Sequence, residues 1–411
     1  MKYYFVGIKG SGMSGLALIM KDLGNDVIGA DVDKCLFTQA KLLEKGITIE
    51  SLDDMHYQDS DVIVLGNAFV DKYQFINKEV MTYQELLSFI CDKYYSIAVC
   101  GTHGKTTITN MIKHVLSNID NVSYLVGDGQ GKAHKDSKYF VFEACEHRDH
   151  FLNYFPDMIV CDNVEYDHVE YFKSIKQYKN SFDNFFNRAK DALILNHDIK
   201  HKRKSITYGS KRAFVQTDNV VYKSDGIYFD LLIENQTHKN LFLPFYGKHM
   251  LNDALACISC CYKLNMDIPT IIKSLQTYKP AKRRYNKTII GSNIIVDDYG
   301  HHPSEIKATV EAIKQEFKDK ELIIFYHPDR PKRLTTFLYK YESIFKKAKV
   351  TYVLPFLTNG KEETNALISI IDNKKIKLYQ EKEIKDKYED TVFLFTGSKE
   401  MVDIIKKISS L

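Results

Sequence analysis

The sequence predicts an α/β protein of three domains. Along most of the 411 residues, short apolar runs typical of buried parallel strands alternate with segments of helical period. This alternation starts anew near residue 94 and again near residue 284. With 44% hydrophobic residues, the chain can bury a core in each part. We therefore expect a Rossmann-like domain at 1–93, a central α/β domain with a small β portion at 94–283, and a Rossmann-like α/β domain at 284–411.

Each domain has its own predicted elements. In the first domain the strands are Tyr3 to Gly7, Val27 to Asp31 and Asp61 to Leu65. In the central domain they are Ser96 to Cys100, Val122 to Val126, Tyr139 to Glu143, Met158 to Cys161 and Ala192 to Leu195. Short β-like runs with turn signals follow between Ser205 and Phe245, and then helices from about Leu251 to Leu275. In the last domain the strands are Ile294 to Asp298, Glu321 to Tyr326, Val350 to Leu354 and Thr391 to Phe395.

Charge and hydropathy favour neither a nucleic-acid partner nor a membrane. The 57 basic and 53 acidic residues are mixed along the chain, so no basic face is predicted. No apolar run approaches the roughly 18 residues that span a bilayer, which indicates a cytoplasmic protein. Eight scattered cysteines are typical of reduced, buried thiols. Cys257 and Cys260 have the spacing of a zinc-ligand pair, but their apolar, helix-like surroundings favour core packing.

The clearest motif is a glycine loop that follows an apolar strand and opens a helix, Gly101-Thr102-His103-Gly104-Lys105-Thr106-Thr107. In this position backbone N–H groups and the positive end of the helix converge on an anion. Lys105 would reach the β- and γ-phosphates of ATP, and Thr106 would bind Mg²⁺. Val99 stands where the usual phosphate loop has its first glycine, so a chance match is the alternative. The strand before the loop favours a P-loop ATPase domain.

A second glycine loop lies near the start of the chain, Gly10-Ser11-Gly12-Met13-Ser14-Gly15. It also follows a strand, and Asp31 ends the next strand about twenty residues later, as in dinucleotide-binding folds. The pattern predicts a nucleotide or diphosphate ligand, with NAD as one candidate. A glycine-built turn without a ligand is the alternative. Together with the P-loop, this loop indicates two substrates.

Polar groups follow three other strands. Glu143 ends one predicted strand, the run Asn163 to His168 follows the next, and Asp297 to Pro303 ends a third. Ligands collect at the carboxyl ends of parallel strands. Glu143 and His168 are therefore candidate Mg²⁺ ligands, although histidine is an unusual ligand for so hard an ion and a structural role for His168 is the alternative.

Taken in order, these motifs resemble the Mur ligases. The resemblance covers all three domains and rests on the runs Gly7 to Ser14, Gly101 to Thr107, Glu143 to Glu146, Asn163 to His168, Lys282 to Arg284 and Asp297 to Pro303. It implies a first domain that binds a UDP-sugar, a central ATPase domain and a last domain that brings in an amino acid. The branch that it matches joins L-alanine to the lactyl carboxylate of UDP-N-acetylmuramate through an acyl phosphate, with ATP and Mg²⁺. That activity belongs to peptidoglycan synthesis, and so to cell-wall biogenesis, cell shape and cell division, in a cytoplasmic monomer or homodimer.

The resemblance also assigns residues by motif. Catalytic roles fall to Lys105, Glu143 and His168. The Mg²⁺ ligands would be Thr106, Glu143 and His168. ATP contacts would come from Gly101, Thr102, His103, Gly104, Lys105, Thr106, Thr107, His249, Arg284 and Asp298. The UDP-sugar would lie on Gly10, Ser11, Gly12, Met13 and Ser14, and the amino acid on Tyr299, His301, Arg330 and Arg333.

Three departures from the family pattern indicate a divergent member. The usual asparagine four residues after His249 is Asp253, with Asn252 before it. The family's Phe-Gln-Pro-His run is here Tyr326-His-Pro-Asp329, at the expected amino-acid pocket. The acidic, glycine-containing loop expected near Pro355 to Lys361 is lacking.

Other functions remain open at this point. A relative that attaches a different amino acid or a recycled peptide to the same nucleotide sugar is the nearest. An NAD-dependent oxidoreductase would explain the first glycine loop and Asp31, but it leaves Lys105, Glu143 and His168 without a role. A catalytically silent nucleotide-binding protein is disfavoured by the same three side chains.

Overall fold

The computed structural model describes residues 1–58, 61–73, 79–209, 212–328, 330–355, 364, 374–384 and 388–410. Within these residues, helices cover three mostly parallel sheets, which confirms the predicted α/β fold class. The chain forms two compact units. The first comprises Met1–Tyr166, Ser174–Gln216 and Asp253–Leu275, and the second comprises Asp167–Lys173, Thr217–Asn252 and Gln276–Leu411. The domain boundaries near 93 and 283 stay a prediction.

The first sheet has the strand order β3-β2-β1-β4-β5, and all of its strand pairs are parallel. Its elements are β1 (Lys2–Val6), α1 (Ser11–Asp22), β2 (Asp26–Asp31), α2 (Gln39–Glu44), β3 (Thr48–Ser51), β4 (Val62–Leu65), β5 (Val80–Thr82) and α3 (Tyr83–Cys91). Central strands of a parallel sheet are covered on both faces, so their sequences are continuous apolar runs. Residues of β1, β2 and β4 accordingly share one buried cluster: Tyr4, Val6, Ala30, Ile63 and Leu65.

The second sheet contains the phosphate loop. Its elements in the first unit are β6 (Tyr95–Cys100), α4 (Lys105–Leu116), β7 (Val122–Val126), β8 (Gln130–Lys132), β9 (Tyr139–Glu143), β10 (Met158–Cys161), α5 (Ile175–Phe186), β11 (Ala192–Asn196) and β12 (Ile206–Gly209). The strand order there is β12-β11-β10-β6-β9-β7-β8, and only β8 runs antiparallel, against β7. The loop after β6 is therefore flanked by the ends of β9 and β10, as expected for a ligand site in such a sheet.

The predicted small β portion and the helices after it are present. They are β13 (Val215–Lys223), β14 (Gly226–Ile233), β15 (Gln236–Leu243), α6 (Lys248–Lys263) and α7 (Ile268–Gln276). Strands β14 and β15 form an antiparallel pair whose register shifts between Phe229 and Leu231. Cys257, Cys260 and Cys261 on α6 are all buried, with Cys260 Sγ 3.5 Å from Met158 Sδ. This burial agrees with the core-packing interpretation of the cysteine pair.

The third sheet belongs to the second unit and has the order β16-β17-β21-β18-β19-β20. Its elements are β16 (Asn286–Ile290), β17 (Asn293–Asp298), α8 (Pro303–Glu316), β18 (Glu321–His327), α9 (Pro331–Thr336), α10 (Leu338–Phe345), β19 (Val350–Val353), β20 (Ile376–Leu378), β21 (Thr391–Gly397) and α11 (Val402–Ser409). Only the β16–β17 hairpin is antiparallel. In the core of this third sheet, Phe325 of β18 and Phe395 of β21 stack with ring centroids 4.9 Å apart.

None of the helices in the described part of the chain has the length and apolar character needed to cross a membrane.

Candidate functional site

The phosphate loop has a backbone that only glycine adopts without strain at one key position. Gly104 precedes the first residue of α4 with φ +81°, in the left-handed region. A Cβ atom there would also lie 2.6 Å from Asp253 Oδ1. Because Gly104 has no side chain, it does not cap the first N–H groups of α4. These N–H groups and the positive end of the helix suit a phosphate.

Lys105 begins α4 and is held inside the loop. Its Nζ donates to Gly101 O at 2.6 Å and to Thr102 O at 3.2 Å. It also forms an ion pair with Glu146 Oε2 at 3.0 Å, and Glu146 is 1% exposed. Burial lowers the pKa of Lys105, but the charge and hydrogen bond of Glu146 together with the charges of Cys145 and Glu143 more than offset this, so the pKa lies above its usual range. Lys105 is therefore a cation throughout the neutral pH range.

Glu146 is a residue that the sequence analysis missed. It closes the run that begins at Glu143, and its nearness in sequence to that candidate ligand was the available signal. A buried carboxylate needs a partner, and Lys105 is that partner here.

The loop backbone is clamped by Asn163, which follows β10. Asn163 Oδ1 accepts from His103 N at 2.9 Å, and Asn163 Nδ2 donates to His103 O at 3.2 Å. The backbone carbonyl of Asn163 accepts from Thr102 N at 3.1 Å. One side chain and its own backbone thus fix two residues of the phosphate loop.

Asn163 belongs to a set of four hydrogen-bonded polar side chains, which we call the Asp162 network: Asp162, Asn163, Asn196 and Tyr208. All except Asn163 are buried. Asp162 Oδ1 accepts from Tyr208 OH at 2.9 Å and from Asn196 Nδ2 at 3.1 Å, and Asp162 Oδ2 accepts from Asn163 Nδ2 at 3.0 Å. Burial raises the pKa of Tyr208 well above its usual value, so its hydroxyl stays a donor. The network joins the ends of three strands to the phosphate loop.

The other polar side chains of the loop contact the segment after Asn163. Thr102 Oγ1 donates to Glu165 O at 2.8 Å and lies 2.9 Å from Tyr178 OH. His103 Nε2 lies 3.4 Å from Glu165 Oε2. Thr106 and Thr107 occupy the first turn of α4, and Thr107 is buried.

Glu143 is the last residue of β9, beside β6, the strand that leads into the phosphate loop. Its Oε1 accepts from Gly127 N at 2.7 Å, and its charge helps to raise the pKa of Lys105. Thr106 lies in the first turn of α4, the helix that follows the neighbouring strand β6. A hydroxyl and a carboxylate at adjacent strand ends are oxygen donors of the kind that Mg²⁺ prefers, so these residues fit the ion.

The first glycine loop leads into α1. Gly10 is exposed and precedes the helix, Ser11 and Gly12 are half-buried in its first turn, and Met13 and Ser14 are buried. Ser14 Oγ donates to Ser11 O at 3.0 Å, a bond within the helix. Gly10 is thus the most accessible residue of the predicted UDP-sugar loop.

Asp31 supports this loop from the end of β2. Its Oδ2 accepts from Lys9 N at 2.6 Å and its Oδ1 accepts from Val32 N at 2.7 Å. Asp31 is 5% exposed. In a dinucleotide site this carboxylate would accept from a ribose hydroxyl, whereas here both of its oxygens accept from backbone N–H groups.

His168 lies in the second unit, in the segment Asp167–Lys173. Its φ is +50°, and its Nδ1 lies 3.4 Å from Glu170 Oε1. The two arginines predicted to bind the amino acid both contact this segment. Arg333 donates from Nε to Asp167 Oδ1 and from Nη2 to Asp167 Oδ2, each at 3.1 Å, and Arg330 forms an ion pair with Glu170. Burial raises the pKa of Asp167, but the charge and hydrogen bonds of Arg333, with contributions from His168 and His302, outweigh burial and hold that pKa well below its usual range.

Other predicted residues meet at the end of β17. The Tyr299 ring lies 5.0 Å from the guanidinium carbon of Arg284 and 5.4 Å from the His301 ring. Asp298 is 8% exposed, and its carboxylate accepts from Tyr285 N at 2.9 Å and Gly300 N at 2.8 Å. Arg284, Tyr299 and His301 therefore form one accessible group, whereas the Asp298 carboxylate shapes the turn between them.

Arg283 builds this turn and was missed because its neighbour Arg284 matched the motif. It is 6% exposed. Its guanidinium donates to Asp297 Oδ1 at 3.1 Å, to Gly397 O at 2.6 Å and to Lys399 O at 3.0 Å. It ties the end of β17 to the last residue of β21 and to the residues just after it.

The structure also gives the positions of His249 and Tyr326, and the role assigned to His249 stays a prediction. His249 lies in the first turn of α6, beside Gly247, and Gly247 N donates to Gln315 Oε1 at 2.7 Å. Tyr326 is buried, and its hydroxyl donates to His301 O at 3.3 Å. Asp329 and most of the stretch 355–361 lie outside the described residues.

Comparisons with known structures show the same fold over nearly the whole chain. The UDP-N-acetylmuramate-alanine ligase from Thermotoga maritima matches with a TM-score of 0.80 at 22% identity, covering 100% of this chain and 100% of that chain. The murein peptide ligase from Psychrobacter arcticus gives 0.68 at 20% identity, covering 100% and 98%. The MurF ligase from Thermotoga maritima, solved in complex with ADP, gives 0.70 at 17% identity, covering 96% and 98%.

Two family models match in succession. Residues 2–95 match the model described as Mur ligase family, catalytic domain, and residues 99–261 match the Mur ligase middle domain. The second range contains the phosphate loop, Glu143, the Asp162 network and His168. Because the two models together cover more than half of the chain, this protein belongs to the Mur ligase family, whose members are ATP-dependent ligases.

Proposed function

We propose that this protein joins L-alanine to the lactyl carboxylate of UDP-N-acetylmuramate, with hydrolysis of ATP to ADP and phosphate, in the synthesis of peptidoglycan precursors. The observation that carries the proposal is the half-buried, charged Lys105 in a phosphate loop beside Glu143. The choice of alanine rests on the sequence of the first glycine loop and of the run Asp297 to Pro303.

In the first step the γ-phosphoryl group of ATP moves to the lactyl carboxylate. A carboxylate is a poor electrophile until one of its oxygens becomes part of a phosphate leaving group. The N–H groups at the start of α4 would hold the triphosphate, and Lys105 would neutralise charge that develops on the transferring group. Thr106, Glu143 and His168 would hold Mg²⁺, which supplies further positive charge when bound.

In the second step the α-amine of the amino acid attacks the acyl carbon. A C–N bond forms, a tetrahedral intermediate follows, the C–O bond to phosphate breaks, and the amine loses a proton. Tyr299 and His301 are the accessible polar groups of the third sheet that would orient the amino acid. Their position at the carboxyl end of β17 supports this role.

A related ligase that adds another amino acid or a peptide is the second candidate. Tyr326, at the start of the run that departs from the family pattern, donates to the carbonyl of His301. A changed side chain next to a predicted amino-acid contact would alter selectivity. An oxidoreductase has no support, since the chain belongs to a ligase family and the Asp31 carboxylate binds backbone N–H groups.

The test combines the protein, ATP, Mg²⁺ and UDP-N-acetylmuramate with single amino acids or a murein tripeptide, and follows phosphate release. We expect release to require the nucleotide sugar and to be fastest with L-alanine. Release that does not depend on the sugar would rule out the ligase. Faster release with another amino acid or the tripeptide would favour the second candidate.

A further inference from the structure

The segment Asp167–Lys173, which contains His168, is fixed by an arginine. Arg333 offers two parallel N–H donors, and the Asp167 carboxylate accepts both at 3.1 Å. The side chains of Arg333 and Asp167 are only 4% and 7% exposed. Paired, charge-assisted hydrogen bonds of this kind are the strongest that an arginine forms.

The residues around His168 form a compact turn. The carbonyl of His168 accepts from Tyr171 N at 2.9 Å and from Phe172 N at 3.0 Å. The Phe172 ring is fully buried. His168 itself has left-handed backbone angles, which a non-glycine residue adopts only where its surroundings hold it there. The contact at Asp167, directly before His168, therefore determines where this backbone lies.

The second arginine, Arg330, is in a different environment. The side chain of Arg330 is 41% exposed, and the side chain of its partner Glu170 is 38% exposed. Breaking an exposed ion pair costs little free energy. Breaking a buried ion pair costs much more, because one charged side chain then stays buried without its partner. A carboxylate from a substrate would have to displace Asp167 to reach the fork of Arg333.

We propose that Arg333 is a positioning residue, which fixes the segment Asp167–Lys173 and thus His168 through Asp167, and that it does not bind the carboxylate of the amino-acid substrate. The claim that Arg333 does not bind the amino-acid substrate rests on the proposed ligase function. The claim that Arg333 fixes the segment Asp167–Lys173 is independent of that function.

The test uses Arg333→Lys, which keeps the charge but loses the fork, and Asp167→Asn, which keeps the shape but loses the charge. Arg330→Lys is the matched control. Hydrogen exchange of the full-length protein without substrates reports on the amides of Tyr171 and Phe172. We expect both Arg333→Lys and Asp167→Asn to speed their exchange by at least about tenfold, and Arg330→Lys to leave it unchanged.

Steady-state kinetics on the same variants separates positioning from binding. We expect Arg333→Lys to lower kcat by at least about tenfold while KM for L-alanine changes by less than about twofold. Unchanged exchange together with a KM raised about tenfold would show that Arg333 binds the substrate and would overturn the proposal. If no amino acid supports turnover, the ligase function fails, and the exchange result still decides the role of the pair.

Loss of one buried charge could unfold the protein, which exchange in β6 and β10 would reveal. The double variant Asp167→Asn/Arg333→Gln then replaces the single ones, because it leaves no unpaired charge. Faster exchange confined to the segment would support the proposal. Exchange at the wild-type rate in this folded variant would refute it.

Discussion

At the scale of single residues, the phosphate loop depends on two opposed effects at Lys105. Burial favours the neutral amine, whereas Glu146 and its acidic neighbours favour the cation and together prevail. Since the pKa is raised, the stabilisation is fully present below the usual lysine value of about 10.5 and is lost only as the pH rises through the folded pKa. Any change of activity between neutral and mildly alkaline pH must therefore come from another group.

Gly104 offers a prediction with an internal control. Gly104→Ala and Gly46→Ala both place a Cβ on a left-handed residue, at φ +81° and +68°, and that costs about 1–2 kcal/mol in each case. Nothing lies within 4 Å of a Cβ on Gly46, whereas one on Gly104 meets Asp253. We expect Gly104→Ala to weaken ATP binding by more than about tenfold and Gly46→Ala to leave it unchanged, as measured by titration calorimetry. Equal ATP affinity in the two variants would show that the loop tolerates the added atom.

The motif residues could be found from the sequence because a phosphate loop is a local pattern. The long-range hydrogen-bond and ion-pair partners at the candidate site could not be found in this way. Asp162 and Tyr208 are 46 residues apart, and Asp167 and Arg333 are 166 residues apart. Such pairs meet because strand order brings distant segments together, and no spacing in the sequence encodes that order. The assigned site roles themselves stay predictions.

At the scale of elements, the end of β10 supports the phosphate loop through the Asp162 network. Tyr208→Phe removes one hydroxyl and leaves Asp162 Oδ1 with the amide of Asn196. We expect a loss of about 1 kcal/mol in the free energy of unfolding and a rise of about fivefold in KM for ATP. Denaturant unfolding and steady-state kinetics measure the two quantities.

Tyr4→Phe is the matched control for Tyr208→Phe. The Tyr4 hydroxyl donates to Glu50 in the first sheet, away from the phosphate loop. We expect Tyr4→Phe to lower the free energy of unfolding by a similar amount and to leave the KM for ATP unchanged. A network without influence on the loop would give both variants the same KM.

Central strands were predicted almost residue by residue. The structure gives β9 and β10 the predicted bounds Tyr139–Glu143 and Met158–Cys161. The strands that the sequence did not reveal are short ones at sheet edges, such as β3 (Thr48–Ser51) and β20 (Ile376–Leu378). Edge strands have one unpaired side and carry polar residues, so they lack the apolar run that marks a buried strand.

At the scale of the whole molecule, the first sheet and strands β6 to β12 of the second sheet belong to one compact unit. A Cβ on Gly131 of β8 would overlap the carbonyl oxygen of Gly15 in α1, so this helix of the first sheet packs directly on a strand of the second. The alternation of strands and helices that starts anew near residue 94 thus marks a new sheet. The alternation alone does not show that the two sheets are separate compact units. An apolar pattern shows which faces of the strands and helices are buried, but not which element covers them.

The separation of the two predicted ligand sites between these sheets leads to a prediction for the whole enzyme. Lys105→Ala removes the loop cation, and we expect kcat to fall by about a thousandfold, since that charge stabilises the transferring phosphoryl group. The dissociation constant for UDP-N-acetylmuramate, measured by titration calorimetry, should stay within about twofold of the wild-type value because Gly10 and Ser11 are unaltered. The exposed Lys318 supplies the control Lys318→Ala, which should change neither quantity. If Lys105→Ala also abolished binding of the sugar nucleotide, the phosphate loop and the first glycine loop would have to serve one common ligand.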